Sequence, residues 1–464
     1  MKKLLCLILI LSFAFSLFSC NLFKKDGQEN ANNSKINGVS LADYSIVYSE
    51  EDYDYSKRAA EYIQSEILSR TSLNLSLIED SAEPVTEYEI VVGNTERAIS
   101  ERLDANTEGF EFAILAEEKQ IALEGDYFVI AAAAYFFIYT YVPSNNYEAN
   151  IPKQVSIHTP IVKEAKNFIM LIGDGMGINQ TKMPEYFENN LEYSDGEDFF
   201  YGYLFPSQGY SRTTSLSGIT DSAAGGTALS CGQKTYNGHI GRDKDLNDIK
   251  SLTELASELG MSAGVMSTET KTGATPASFS AHADSRNSTA EIIMKQAEAR
   301  DLYGTVIDCG FNYYTDRYVV EIEKKINTML STLSANEKGF FLMYEEAHID
   351  KHCHLNDMDM TYQSVIRFNQ AIAVFMEYAF YNPETFILIT ADHETGDLFP
   401  NSEGVLEFHD TNHTANNVPV FAYGDGAELF NGQKVENIQI AHTIAHFMGV
   451  DDFGDQSKFT YLGK

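Results

Sequence analysis

Residues 385–396 read TFILITADHETG: an almost wholly apolar run, then an aspartate and a histidine, then a glycine. So short an apolar run, ended by a polar turn, predicts a strand buried on both faces over Thr385–Thr390. Three other segments have the same design. Asn167–Ile172 ends in Gly173-Asp174-Gly175, and Ala263–Met266 is followed by Ser267-Thr268 and later by Thr275. Gly339–Tyr344 ends in Glu345-Glu346. Each apolar strand delivers candidate ligands just beyond its C-terminal end, the edge where sites assemble in parallel α/β sheets. Strands alternate with helices from about 165 onward, which predicts a mostly parallel sheet flanked by helices over 165–464.

The residues at these strand ends suit metal chemistry. Asp350 and His354 stand four apart and project from one face of a helix. Asp392 and His393 are adjacent, so both enter one site only if the chain turns there; Gly396 permits the turn. His413 follows in the polar loop HDTNHTANN. Singly, such residues are more often surface or capping groups; together at strand ends they point to a site. Ser222, in TDSAAGGT (220–227), stands where a helix start favours an anion, although a plain N-cap serine would read the same way.

Five segments in order resemble the alkaline phosphatase family: IGDGMG (172–177), TDSAAGGTALSCGQKTYNG (220–238), ATPASFSAHADSR (274–286), EEAHIDKHCH (345–354) and TADHETG (390–396). The resemblance covers about two-thirds of the chain, from Asn167 to the end, and implies an alkaline-phosphatase-like fold. It also implies hydrolysis of small phosphate monoesters through a phosphoserine at Ser222, with two Zn²⁺ and one Mg²⁺. By motif, Asp350, His354 and His413 would hold one zinc. Asp392, His393 and Asp174 would hold the second, with Ser222. Asp174 would bridge to a magnesium-type site completed by Thr275 and Glu345, whose hard oxygen ligands suit Mg²⁺. Arg286 matches the phosphate-clamping arginine, with Asp221 orienting it, and Lys351 keeps a cation near the phosphate. Six metal charges and Arg286 would outweigh the carboxylates of Asp174, Glu345, Asp350 and Asp392. In the implied mechanism one zinc lowers the pKa of Ser222, and the other stabilises the leaving oxygen and then supplies hydroxide.

One position departs from the pattern. Many relatives carry Asp or His two residues before the metal-binding threonine; here Gly273 stands there, and the magnesium-type site loses a partner. The stretch between His393 and His413 is too short for the dimer-capping insertion of some relatives, which leaves oligomeric state open. Other histidines read as scaffold: His442 and His446 in a terminal helix, and His282 between apolar residues. His409 competes with His413, but Thr414 completes the family's His-Thr pair. His348 and His352 flank the ligands as outer partners. Two rival readings stay open. One is a phosphodiesterase or sulfatase-like member of the same superfamily; the other is a non-catalytic surface lipoprotein that binds glycan or metal.

The remainder of the 464 residues frames this site. A net charge of −34 repels nucleic acid and anionic surfaces, so an anionic substrate needs a local reversal of sign. Of the five cysteines, three (Cys231, Cys309, Cys353) lie in the body with no CxxC pair, which argues against a disulfide framework. Lys2-Lys3, the apolar run Leu4 to Phe18 and Ser19-Cys20 form a signal peptide over 1–19, and Leu17-Phe18-Ser19-Cys20 resembles a bacterial lipoprotein processing box. The expectation is an exported protein held to a membrane by a lipid on Cys20, facing the periplasm or cell exterior. Residues 20–36 form a polar tether with a reach of ~20 Å. A small α/β accessory region over 37–160 follows, with strands at Tyr44–Tyr48 and Tyr88–Val92 and a helix at Tyr53–Ser69. A hairpin of Phe110–Leu115 with Gln120–Leu123 precedes a buried helix at Tyr127–Tyr141. YSIVY, AAEYIQ and EIVVGNT give it a faint resemblance to the small domain ahead of hexosaminidase- and glucuronidase-type barrels, with packing or glycan contact as its expected role.

Overall fold

Seven residues, Asn167–Gly173, form the middle of an eight-stranded sheet, and every one of them is buried. The computed structural model describes residues 33–49, 54–81, 85–103, 107–142, 147–190, 199–311 and 318–464. The sheet order is Val306–Cys309, Ser262–Ser267, Phe340–Glu346, Asn167–Gly173, Thr385–Thr390, Val418–Tyr423, Ser207–Arg212 and Lys434–Glu436. The first five strands are parallel, and Val418–Tyr423 runs against both of its neighbours. This is the mostly parallel α/β architecture expected. The four strands singled out above are contiguous, and Ser267, Glu345, Ile172 and Thr390 share one register row where the sheet ends.

These strands lack polar alternation because both faces are covered. Ile169, Leu171, Leu342, Tyr344, Ile387 and Ile389 face the long helix Met358–Tyr381 through Val365, Phe368 and Ile372. Phe168, Met170, Phe341, Met343, Phe386 and Leu388 face the other way. They pack against Leu229 of the Ser222–Cys231 helix, Leu252 and Leu255 of Leu252–Glu258, and Ile440 and Ile444 of Asn437–Phe447.

Before this sheet lies a six-stranded one, ordered Leu77–Glu79, Tyr44–Tyr48, Tyr88–Val92, Gln120–Glu124, Phe112–Ala116 and Ser156–His158. Helices Tyr55–Thr71 and Ile130–Tyr141 accompany it. The hairpin and both helices stand within two or three residues of their expected bounds. The strands Leu77–Glu79 and Ser156–His158 are too short to show a period. This region packs on Met358–Tyr381: the Tyr62 and Tyr381 rings lie 4.2 Å apart, and Arg58 Nε donates to Glu377 at 2.8 Å. Phe110 sits edge-on to Phe205, Phe380 and Tyr423.

The expected signal peptide and most of the tether lie outside the described residues. The last residues of the expected tether are folded. Lys35–Ile36 pairs with Val39–Ser40 and with Glu148–Ala149, and Ile36 is fully buried. Among the described residues no helix is long and apolar enough to cross a membrane, and Cys231, Cys309 and Cys353 are free thiols.

Candidate active site

Beyond the register row the chain folds back so that three imidazoles meet. The short helix His348–Cys353 follows Phe340–Glu346 directly and presents Asp350, with His354 one turn on. Gly175 lets the neighbouring loop close on it: a Cβ there would meet the Asp350 Cα at 2.8 Å, and its φ of +73° suits glycine. After Thr390 the chain reverses through Gly396, and Glu394–Thr395 pairs antiparallel with His413–Thr414. Glu394 accepts from Gln180 Nε2 at 3.1 Å and from the Thr414 hydroxyl, clamping this ribbon. The His393 and His413 rings therefore stack at 3.6 Å.

All three histidines turn Nε2 inward. His354 Nδ1 lies 2.6 Å from the Thr411 carbonyl and His413 Nδ1 2.8 Å from that of Thr220; a carbonyl only accepts, so both Nδ1 atoms carry the proton. His393 Nδ1 meets the Thr395 hydroxyl at 3.2 Å, and that hydroxyl donates to Asp350 at 2.5 Å. Three Nε2 atoms thus face one another and the carboxylates. His354 and His413 Nε2 are 3.1 Å apart, and each lies 3.4–3.6 Å from Asp350 Oδ1. Ligands on a tetrahedral zinc at 2.0–2.1 Å stand about 3.3 Å from one another. The spacing fits.

Around His393 the pattern repeats. Its Nε2 lies 3.3 Å from Asp392 Oδ2, 3.6 Å from Asp174 Oδ1 and 3.2 Å from Ser222 Oγ. Asp174, Asp350 and His393 also fall within 4.8 Å of one another, so Asp350 stands between the two groups. Asp174 Oδ1 and Asp392 Oδ2 are buried with no hydrogen-bond partner, as are Glu345 Oε1 and Thr275 Oγ1. Orphaned buried acceptors are costly, and cations would satisfy them. The donor set fits the metals that the motifs imply.

The electrostatics agree. Burial, then the charges of Asp392, Asp350, Glu345 and Glu269, push the Asp174 carboxyl well above its ordinary range. Burial and Glu269 push Glu345 up to about 8; burial and Asp350 push Asp392 up to about 6. Burial also works to raise Asp350, but its bond to His354 and the charges of the three imidazoles hold it below the usual range. The hydrogen bond to Asp350 lifts His354 to about 9, whereas burial lowers His393 to about 4. The protein alone cannot ionise all of these acids at neutral pH.

Ser222 opens the Ser222–Cys231 helix behind its N-cap, Asp221, whose Oδ1 accepts from Ala224 N–H at 3.0 Å. Asp221 Oδ2 receives Arg286 Nη1 at 3.1 Å, which fixes the guanidinium beside the serine's helix start. Lys351 pairs with Glu269 at 3.1 Å. The decoy histidines sit on scaffold. His442 bonds the Gly232 carbonyl, His446 bonds Asp451, and His282 bridges Gly241 and Glu254. His348 and His352 bond Thr268 and Ser364. His409 is exposed, outside the cluster. Sequence reasoning missed Thr395, the hydroxyl joining Asp350 to His393, although it lies within the TADHETG segment.

The alkaline phosphatase family model matches residues 165–309 and 311–401, just over half the chain. Alkaline phosphatase 3 of Bacillus subtilis is 28% identical over 347 residues, covering 62% of this chain and 75% of that protein. Alkaline phosphatase 4 of the same species is also 28% identical, with 53% and 65% covered. The solved alkaline phosphatase of the Antarctic bacterium TAB5 superposes with a TM-score of 0.55 at 27% identity, over 63% of this chain and all of that one. A variant of that enzyme has been solved with Mg bound in its M3 site. His413 lies beyond the matched residues, so its place beside His354 and His393 rests on the fold. With the sheet, the converging strand ends and these matches together, the chain belongs to the alkaline phosphatase family.

Proposed function

We propose that this protein hydrolyses phosphate monoesters through a covalent phosphoserine at Ser222. The observation that carries this is the Ser222 hydroxyl, 3.2 Å from His393 Nε2, at the meeting point of two ligand groups that share Asp350. Asp350, His354 and His413 would hold one zinc, and Asp174, Asp392 and His393 the second. Asp174, Thr275 and Glu345 would hold magnesium. Bound there, the cations supply positive charge for the phosphate, a lowered pKa for the serine hydroxyl and an activated water.

The chain's own residues do the rest. Ser222 Oγ gives its proton to solvent and attacks phosphorus, and the displaced alkoxide takes a proton from solvent to leave as the alcohol, which leaves a phosphoserine. Water then attacks that phosphorus, and the serine oxygen regains a proton as inorganic phosphate departs. Arg286, held by Asp221, grips two phosphate oxygens, which favours a monoester dianion over a diester. The Nδ1 bonds keep the imidazole lone pairs aimed inward throughout.

A metal-free Ser222–His393 pair is the alternative that the same 3.2 Å contact allows. Burial makes His393 a weak base, with a pKa of about 4, which counts against it. The test is turnover of an aryl phosphate monoester and a diester after chelation, with Zn²⁺ and Mg²⁺ added back separately. The expected result is loss on chelation, recovery with zinc, further gain with magnesium, and a diester rate at least about 100-fold lower. Full turnover without metal, or preference for the diester, would overturn the proposal.

Export and lipid attachment at Cys20 form a second part of the proposal, resting on the N-terminal sequence. Fractionating cells that express the Cys20→Ala chain tests it: loss of the protein from the membrane fraction supports the tether, and unchanged retention contradicts it.

A further inference from the structure

By the family resemblance an acidic or imidazole side chain is expected where Gly273 stands, yet its backbone does not require glycine. It caps the Ala274–Ser278 helix at φ −55° and ψ 152°, a conformation open to any residue. Space explains it instead. A Cβ at 273 would meet Glu269 Oε2 at 2.6 Å, Cδ at 2.7 Å and Cγ at 2.8 Å. The carboxylate of Glu269 therefore fills the volume that a side chain at 273 would take.

Glu269 is also tied into the site from both ends. Its backbone N–H donates to Ser267 Oγ at 2.9 Å, and the Ser267 hydroxyl in turn donates to Glu345 Oε2. Its own carboxylate accepts from Lys351 Nζ at 3.1 Å, one residue from Asp350. Buried groups with no partner, Glu345 Oε1, Thr275 Oγ1 and Asp174 Oδ1, belong to the residues that Glu269 would serve. Its charge bears on both Glu345 and Asp174.

We propose that Glu269, positioned by Lys351, is the acidic partner of the magnesium-type site of Asp174, Thr275 and Glu345, delivered from residue 269 in place of a side chain at 273. The inference rests on the metal reading above. It would supply the partner that Gly273 leaves out. It also gives Lys351 a role in holding Glu269.

The test is Mg²⁺ binding to zinc-loaded protein by titration calorimetry, with zinc content measured in parallel. Glu269→Gln keeps the shape and should weaken Mg²⁺ about 10-fold or more while leaving both zincs in place. Glu269→Ala should do the same, and the double change Glu269→Ala/Gly273→Asp should recover most of the loss. Gly273→Asp alone should not tighten Mg²⁺, because the two carboxylates collide. Wild-type Mg²⁺ affinity in Glu269→Gln, or a double variant no tighter than Glu269→Ala, would overturn the inference. A wild-type chain that holds neither zinc nor phosphatase turnover would instead sink the function proposed above.

Discussion

Glu89 in the front sheet and the acids at the end of the larger sheet are equally buried, but their surroundings differ completely. Glu89 is 0% exposed, and both of its oxygens are satisfied. Oε1 accepts from Thr86, and Oε2 accepts from Arg97 Nε at 3.1 Å and Gln120 Nε2 at 2.8 Å. Arg97 is anchored in turn on the Asp80 carbonyl at 2.8 Å. Asp174, Glu345 and Asp392 are as deeply buried, yet each leaves an oxygen without a partner, and among the described residues none of them forms an ion pair with an arginine or lysine. A buried carboxylate with its own counter-charge has its oxygens satisfied from within, although Arg97 Nη2 has no partner. Buried charges that crowd one another need a cation, and that is what separates the packing region from the site.

The contrast can be attacked at several points. Ser222→Ala removes the oxygen around which the acids gather, and monoester turnover should fall about 10⁴-fold with both zincs retained, read by steady-state kinetics and metal content. Glu89→Gln strands Arg97 in the front core. Urea unfolding should show a loss of about 3 kcal/mol, with the turnover of the folded enzyme unchanged.

Acidity gives a third handle. In the metal-free protein Glu345 keeps its proton up to about 8 instead of 4.5, and Asp392 up to about 6 instead of 3.8. These two acids bind more protons in the folded state, while His393, lowered from 6.5 to about 4, does the opposite below 6.5; above that Glu345 remains, so stability falls as pH rises from 6.5 to about 8. A decline on the order of 2 kcal/mol is expected in melts of chelated protein. Zinc and magnesium should abolish it, since cations favour the ionised acids. Last, Asp174→Asn should stabilise the metal-free protein by about 1 kcal/mol and weaken its zinc binding, the reverse of what Glu89→Gln does to stability.

Much of this was legible in the sequence because buried parallel strands leave a strong mark. Asn167–Gly173 and Thr385–Thr390 are unbroken apolar runs, and the residues just past them converge as expected. The i, i+4 spacing of Asp350 and His354 held even on a six-residue helix. Other features depend on long-range geometry and left no local trace. His413 reaches His393 only through the two-residue pairing of Glu394–Thr395 with His413–Thr414. Glu269 covers Gly273 because no Cβ stands there, a coincidence of volume that no spacing encodes. Lys351 points to Glu269 for the same reason. The edge strands of the front sheet were missed because three residues cannot show a period.

The most direct measurement is anomalous diffraction at the zinc absorption edge from crystals of the purified protein. Two peaks are expected, one among Asp350, His354 and His413 and the other among Asp174, Asp392 and His393, with Ser222 Oγ beside the second. Zinc bound elsewhere, or none at either position in a protein that still cleaves phosphate monoesters, would contradict the claim that these buried groups exist to hold cations around one serine.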